Sequence, residues 1–129
     1  MYIARRRKKV LATFALADDD GNIVKQYEVD CDPDTRLIEY NKAKNRIIAA
    51  EQLIHAEPNT ESYTKYGQAV VDMMGVFFGD KAVQEILEFY ENNYTEMILE
   101  LLPFITDEVE PLMRKTSEAQ LAEIKKRKR

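Results

Sequence analysis

The side chains in this chain that could perform chemistry are few and poorly spaced for it. His55 is the only histidine and Cys31 the only cysteine. Glu51 precedes His55 by four residues, whereas the di-iron carboxylate pattern needs a Glu three residues before its His, repeated on a second helix. A positive charge near a helix C-terminus suits the macrodipole, so a capping role is the expectation for His55. Asp18, Asp19 and Asp20 suggest a calcium loop. If Asp20 and Gly21 held its fifth and sixth positions, however, the first and twelfth ligands would be Leu16 and Tyr27, and neither can serve. Asp30, Asp32 and Asp34 could gather around a cation, yet Asp32 is better placed as a helix cap. Cys31 has no C-x-x-C partner, and no Gly-rich phosphate loop, nucleophile elbow or zinc-protease motif occurs. The expectation is a protein that is not an enzyme, with no catalytic residue, cofactor or metal.

Charge layout is more informative. The 129 residues carry a net charge of -4, but the sign changes along the chain. Arg5, Arg6, Arg7, Lys8 and Lys9 make one end basic, and Lys125, Lys126, Arg127, Lys128 and Arg129 make the other end basic. Between Asp80 and Glu110 the only basic residue is Lys81, against Glu85, Glu88, Glu91, Glu96, Glu100, Asp107 and Glu108. Basic ends allow a small nonspecific nucleic-acid binder whose affinity collapses with salt. The acidic centre opposes it, and Arg36, Lys42, Lys44 and Arg46 have no aromatic residue between them to stack on bases. The second class is a helical adaptor whose basic ends meet the acidic centre of a neighbouring copy, a heterologous contact that builds rings or open spirals and predicts a homo-oligomer. Met73, Met74, Met97 and Met113 either fill a core or line an adaptable groove.

These residues must be held by a scaffold the sequence also describes. A chain of this length fits one domain with its own core. Lys9 to Ala17 and Ile23 to Val29 alternate apolar and polar or small residues around Asp18–Asn22, predicting a β-hairpin. Asp32, Pro33 and Asp34 open a helix as cap, first residue and dipole partner. Its apolar stripe is Leu37, Tyr40, Ala43, Ile47, Ala50 and Ile54. Thr60 caps the next helix, with Tyr63, Tyr66, Val70, Met74 and Phe77 as its stripe and Gly67 and Gly75 at points of close approach. Gly79 closes that helix and Asp80 starts another through Val83, Ile86, Leu87, Tyr90 and Tyr94. Thr95 begins the last, in which Pro103 and Pro111 each remove a backbone donor. The predicted fold is mainly α: an N-terminal hairpin followed by a four-helix arrangement with a proline-kinked last helix. Residues 1–31 form the basic segment and hairpin, 32–115 the helical domain and 116–129 a loosely packed basic tail. No apolar run spans a bilayer, and Val10–Ala17 is too short for a signal peptide and runs into three aspartates. With its lone cysteine, the chain suits a reducing cytoplasm.

The stretch from Val76 to Phe104 holds four of the five phenylalanines. It contains F-F-G-D, then the E-x-x-x-x-Y-x-x-N-Y pattern from Glu85 to Tyr94, then L-L-P-F-I from Leu101 to Ile105. With the hairpin before it and the basic end after it, this stretch resembles the small tail assembly chaperones of long-tailed bacteriophages of Gram-positive hosts. The resemblance implies a protein of the host cytoplasm, absent from the mature virion, that oligomerises and coats the tape measure protein until tail tube subunits polymerise around it. It also implies a longer frameshifted form. Phe77, Phe78, Tyr90, Tyr94, Leu101, Leu102 and Phe104 are the candidate partner contacts, and Glu88 and Glu91 the candidate charge partners.

Overall fold

Alternation of apolar and polar side chains becomes an antiparallel hairpin, β1 (Leu11–Ala17) and β2 (Ile23–Asp30), in the computed structural model, which describes residues 1–127. Lys128 and Arg129 of the expected basic tail lie outside the described residues. The turn is closed by Asp18, whose amide donates to the Asn22 carbonyl at 2.9 Å and whose carboxylate accepts from the Asp20 and Asn22 amides. Gly21 takes a φ of 83° there, a value that a Cβ resists. Phe14, Leu16 and Val29 face inward and are buried, while Leu11, Ile23 and Val24 are exposed.

Asp32 caps α1 (Pro33–Ala56) by accepting from the Asp34 amide at 3.0 Å, with Pro33 in the first turn. The cap of α2 (Thr60–Phe89) is Asn59, one residue before the expected Thr60. Asn59 accepts from the Ser62 amide at 2.9 Å while Ser62 Oγ accepts from the Asn59 amide at 3.0 Å, a reciprocal box that threonine at 60 could not make from its place inside the helix. Gly79 breaks the dihedral pattern of α2 with φ 78° and ψ 163°. Arg36 reaches across to satisfy the Val76 carbonyl at 3.1 Å beside that break, so this residue of the basic face is turned inward and is not merely solvated.

Helix α2 ends through positive-φ residues Glu91 and Asn92, with the Asn92 amide donating back to the Leu87 carbonyl at 2.9 Å. Asn93 then caps α3 (Tyr94–Phe104) by accepting from the Glu96 amide. Tyr94 and Glu91 therefore do not extend the preceding helix as the threefold spacing implied; one starts α3 and the other forms the turn. A π-helical turn, Ile105–Val109, links α3 to α4 (Glu110–Arg127), and the Glu110 amide donates to the Ile105 carbonyl. The two prolines bracket this wide turn, which is how the last helix accommodates their missing donors.

The expected four helices are three helical rods: α1, the bent α2, and a continuous rod of α3, the π-turn and α4. The difference arises because α2 resumes immediately after Gly79, without a connecting loop. Met74, Ile86, Met97, Leu101, Ile105, Val109 and Met113 are fully buried between the rods, so all four methionines considered for a groove, Met73 included, are core. Leu121 and Ile124 are exposed, consistent with a last segment that packs on little. Among the described residues no helix is long and apolar enough to cross a membrane.

Candidate functional site

Two aromatic regions lie along α2, one at its bend and one at its first turns. The first is built where the hairpin meets the helices. Phe14 of β1 sits 5.6 Å from Phe78 and 5.1 Å from Phe104 between ring centroids, and Tyr27 of β2 meets Phe78 edge-on at 5.9 Å. The Tyr27 hydroxyl donates to Glu85 at 3.1 Å, and Lys25 pairs with the same carboxylate at 2.9 Å. Those two contacts hold the Glu85 carboxyl below its ordinary range, Lys25 contributing first. Burial, followed by that hydrogen bond, pushes the Tyr27 phenol up to about 12.

The second region is an open groove of about 570 Å³. The end of α1 gives Ile54, the first two turns of α2 give Tyr63, Tyr66 and Gly67, and the start of α3 gives Tyr94, Ile98 and Leu99. Tyr63 is 58% exposed, Tyr94 45% and Leu99 69%, values unusual for side chains of this size gathered in one place. Gly67 is buried on the floor; a Cβ there would lie 3.8 Å from Tyr94 Cδ1, so the ring rests directly above it. Gly75, also expected to mark a close approach, has nothing within 4 Å of its Cβ position. The other lining groups are uncharged: Thr60, Thr64, Gln68 and Thr95. Glu51 raises the Tyr66 phenol after burial does, Glu96 and Glu100 do the same to neighbouring Tyr90, and Glu91 lies in the turn before Tyr94. None of these four acids is in an ion pair among the described residues.

No protein family, curated protein or solved structure matches this chain.

The candidate contacts divide between these regions. Phe77 is buried, with its ring 5.6 Å from Tyr40. Leu101 and Phe104 are buried, and Phe78 and Leu102 are half-buried against the core. Tyr90 is likewise half-buried. These six hold the fold together and offer little free area. Tyr94 alone lines the groove. Glu88 is exposed on α2, where Gln84 donates to it at 3.5 Å, and Glu91 is exposed in the turn. Sequence reading placed Tyr63 and Tyr66 on the inward stripe and passed over Leu99, which sits beside the stripe of Met97, Ile98, Leu101 and Leu102. The available signal was that the early stripe of α2 is made of tyrosine, a residue suited to a half-wet surface.

Groups with possible chemistry remain apart. Among the described residues no three His, Cys, Asp or Glu side chains converge as a metal site. Cys31 is fully buried with its thiol pushed up by that burial, which removes the thiolate a nucleophile needs. His55 lies in the last turn of α1.

Proposed function

We propose that the protein is a phage tail assembly chaperone that works in the host cytoplasm, is absent from the mature virion and performs no catalysis. In this reading it associates with copies of itself and holds apolar segments of the tape measure protein until tube subunits replace it. The observation that carries the reading is the tyrosine-lined groove. It draws apolar side chains from three helices into one open trough, its flat rings offer contact area at low entropic cost, and its uncharged lining imposes no charge requirement on a client. The resemblance of the Val76 to Phe104 stretch to tail chaperones supplies the nature of the client, an extended and largely helical protein prone to aggregate.

Co-expression with a phage tape measure protein tests the reading. The tape measure protein is expected in the soluble fraction and in complex with this chain. The Tyr63→Glu/Tyr94→Glu variant should fold normally and leave it in the pellet. Equal solubility with no chain, the intact chain and the variant would refute the assignment. Nucleic-acid binding has a weaker footing, a cleft where Arg6, Lys8, Lys9 and Lys115 approach one another. Asp30, Asp32 and Glu123 line the same cleft, and Arg7 is engaged by Glu123 at 2.6 Å, so its field is mixed.

A further inference from the structure

We infer that this chain pairs with a second copy of itself by exchange: α2 straightens at Gly79, and each copy's segment from Asp80 onwards packs on the other. The two helical halves of α2 join at that single residue, without a loop. Its φ of 78° and ψ of 163° fall in a region open to glycine almost alone. The bend also deprives the helix of a bond. In an unbroken helix the Val76 carbonyl would accept from the Asp80 amide; here it accepts from Arg36 Nη1 at 3.1 Å. Reaching it leaves Arg36 Nε buried without a hydrogen-bond partner among the described residues, and a buried donor left unpaired is destabilising. A short, strained hinge between two packed segments is the arrangement that invites exchange.

The contacts on either side of the hinge define what each segment meets. Tyr94 Cδ1 lies 3.8 Å from where a Cβ on Gly67 would stand. A straight α2 would carry Phe89 about 33 Å beyond Gly67 at 1.5 Å per residue, and the turn from Tyr90 to Tyr94 reaches back about 18 Å at most. One chain therefore completes its own groove only while α2 is bent. When α2 straightens, Glu85 leaves Tyr27 and Lys25, Phe104 leaves Phe14, and Glu110 leaves Tyr40 and Lys44. The surfaces that match those side chains are then offered by an identical chain. Each contact is regained in the pair, the Val76 carbonyl regains its helical amide, and Arg36 is released to water. Each groove is walled by Tyr63 and Tyr66 of one copy and by Tyr94, Ile98 and Leu99 of the other. The exchange gives a structural form to the self-association included in the chaperone reading.

The test uses the purified protein without a client, so it can fail while the client reading stands. The intact chain, unfolded in urea and refolded at high concentration, should yield a dimer that persists for hours on dilution, because separation requires both copies to unfold part-way. Gly79→Ala puts a methyl where nothing lies within 4 Å, so only the backbone angles resist it. It should favour the dimer by about a thousandfold, since alanine disfavours the bend and favours the helix at both hinges. A short Gly/Ser segment inserted after Gly79 relaxes the hinge and should leave a stable monomer. Sedimentation before and after dilution reads all three. The inference is overturned by an intact chain that refolds only to monomer, or by a dimer that falls apart within minutes of dilution. It is equally overturned by a Gly79→Ala chain that is a folded monomer or folds at no concentration, or by an inserted chain that dimerises as the intact one does.

Discussion

The two aromatic regions of this protein are made of similar residues and end in opposite states. Around Phe14, Tyr27, Phe78 and Phe104 the hairpin lies across the helices, burying Phe14 and Phe104 and half-burying Tyr27 and Phe78. Around Tyr63, Tyr66 and Tyr94 nothing lies across them, and the trough stays open. Both regions touch α2, the first through Phe78 and the second through Tyr63 and Tyr66. What separates them is a cover supplied by residues distant in sequence. Phenylalanine dominates under the cover and the one tyrosine there, Tyr27, has its hydroxyl bonded to Glu85, whereas the open side is tyrosine.

The largest test of this contrast is stability. Phe104 is 6% exposed and touches the hairpin across the cluster, so Phe104→Ala should lose about 3–5 kcal/mol of unfolding free energy. Tyr94→Ala, at a side chain 45% exposed, should lose under about 1 kcal/mol, close to an ordinary surface change. Urea titration of both variants measures the difference. Equal losses would mean that the groove is structural and the contrast false.

A second test concerns how tyrosines are held on the closed side. The Tyr40 hydroxyl donates to Glu110, tying α1 to α4, with Lys44 Nζ at 3.4 Å from the same carboxylate. The groove hydroxyls of Tyr63, Tyr66 and Tyr94 make no such bond among the described residues. Tyr40→Phe should therefore cost about 1.5–3 kcal/mol, as for hydrogen bonds to charged groups. The effect has a pH signature. The Tyr40 hydroxyl first, then Lys44, holds the Glu110 carboxyl below its ordinary range. The folded state thus gains stability that is fully present above the ordinary glutamate value of about 4.3 and is lost as pH falls through the lower folded value. Acid unfolding followed by circular dichroism should be less steep in Tyr40→Phe. At the alkaline end the sign reverses for Tyr27: its contribution is complete below about 10 and disappears as pH rises towards about 12. An unchanged acid limb in Tyr40→Phe would show that Glu110 is held by something else.

What could be read from the sequence follows the range of each interaction. The hairpin turn, the Asp32–Pro33–Asp34 start and the break at Gly79 depend on neighbours within a few residues, and each is where the residue types put it. Asn59 was displaced by one position because Asn59 and Thr60 are both capping types, and only the Ser62 hydroxyl decides between them. Leu37 keeps the period of the α1 stripe yet is 37% exposed, since periodicity defines a face and not how far a neighbour extends over it. The same limit applied to the candidate contacts. Phe77, Leu101 and Phe104 have the spacing of an exposed ridge as much as of a core, and only the hairpin and α1, packed from elsewhere in the chain, bury them.

The smallest effect gives the sharpest view of the open side. Gly67 has helical dihedrals and a methyl added there would meet Tyr94 Cδ1 at 3.8 Å, an ordinary contact. Gly67→Ala should thus gain up to about 1 kcal/mol from helix propensity alone. A residue that only supported packing would then be improved in every respect by alanine. If the trough is a binding surface, the added methyl also fixes the Tyr94 ring that rests above it and so limits how the trough adapts to a client. Stability and client binding should move in opposite directions, with a higher midpoint in urea and less tape measure protein kept soluble on co-expression. A variant that is both more stable and keeps as much client soluble as the parent would place the contact on the rim, around Tyr63 and Leu99, and not at Tyr94 above Gly67.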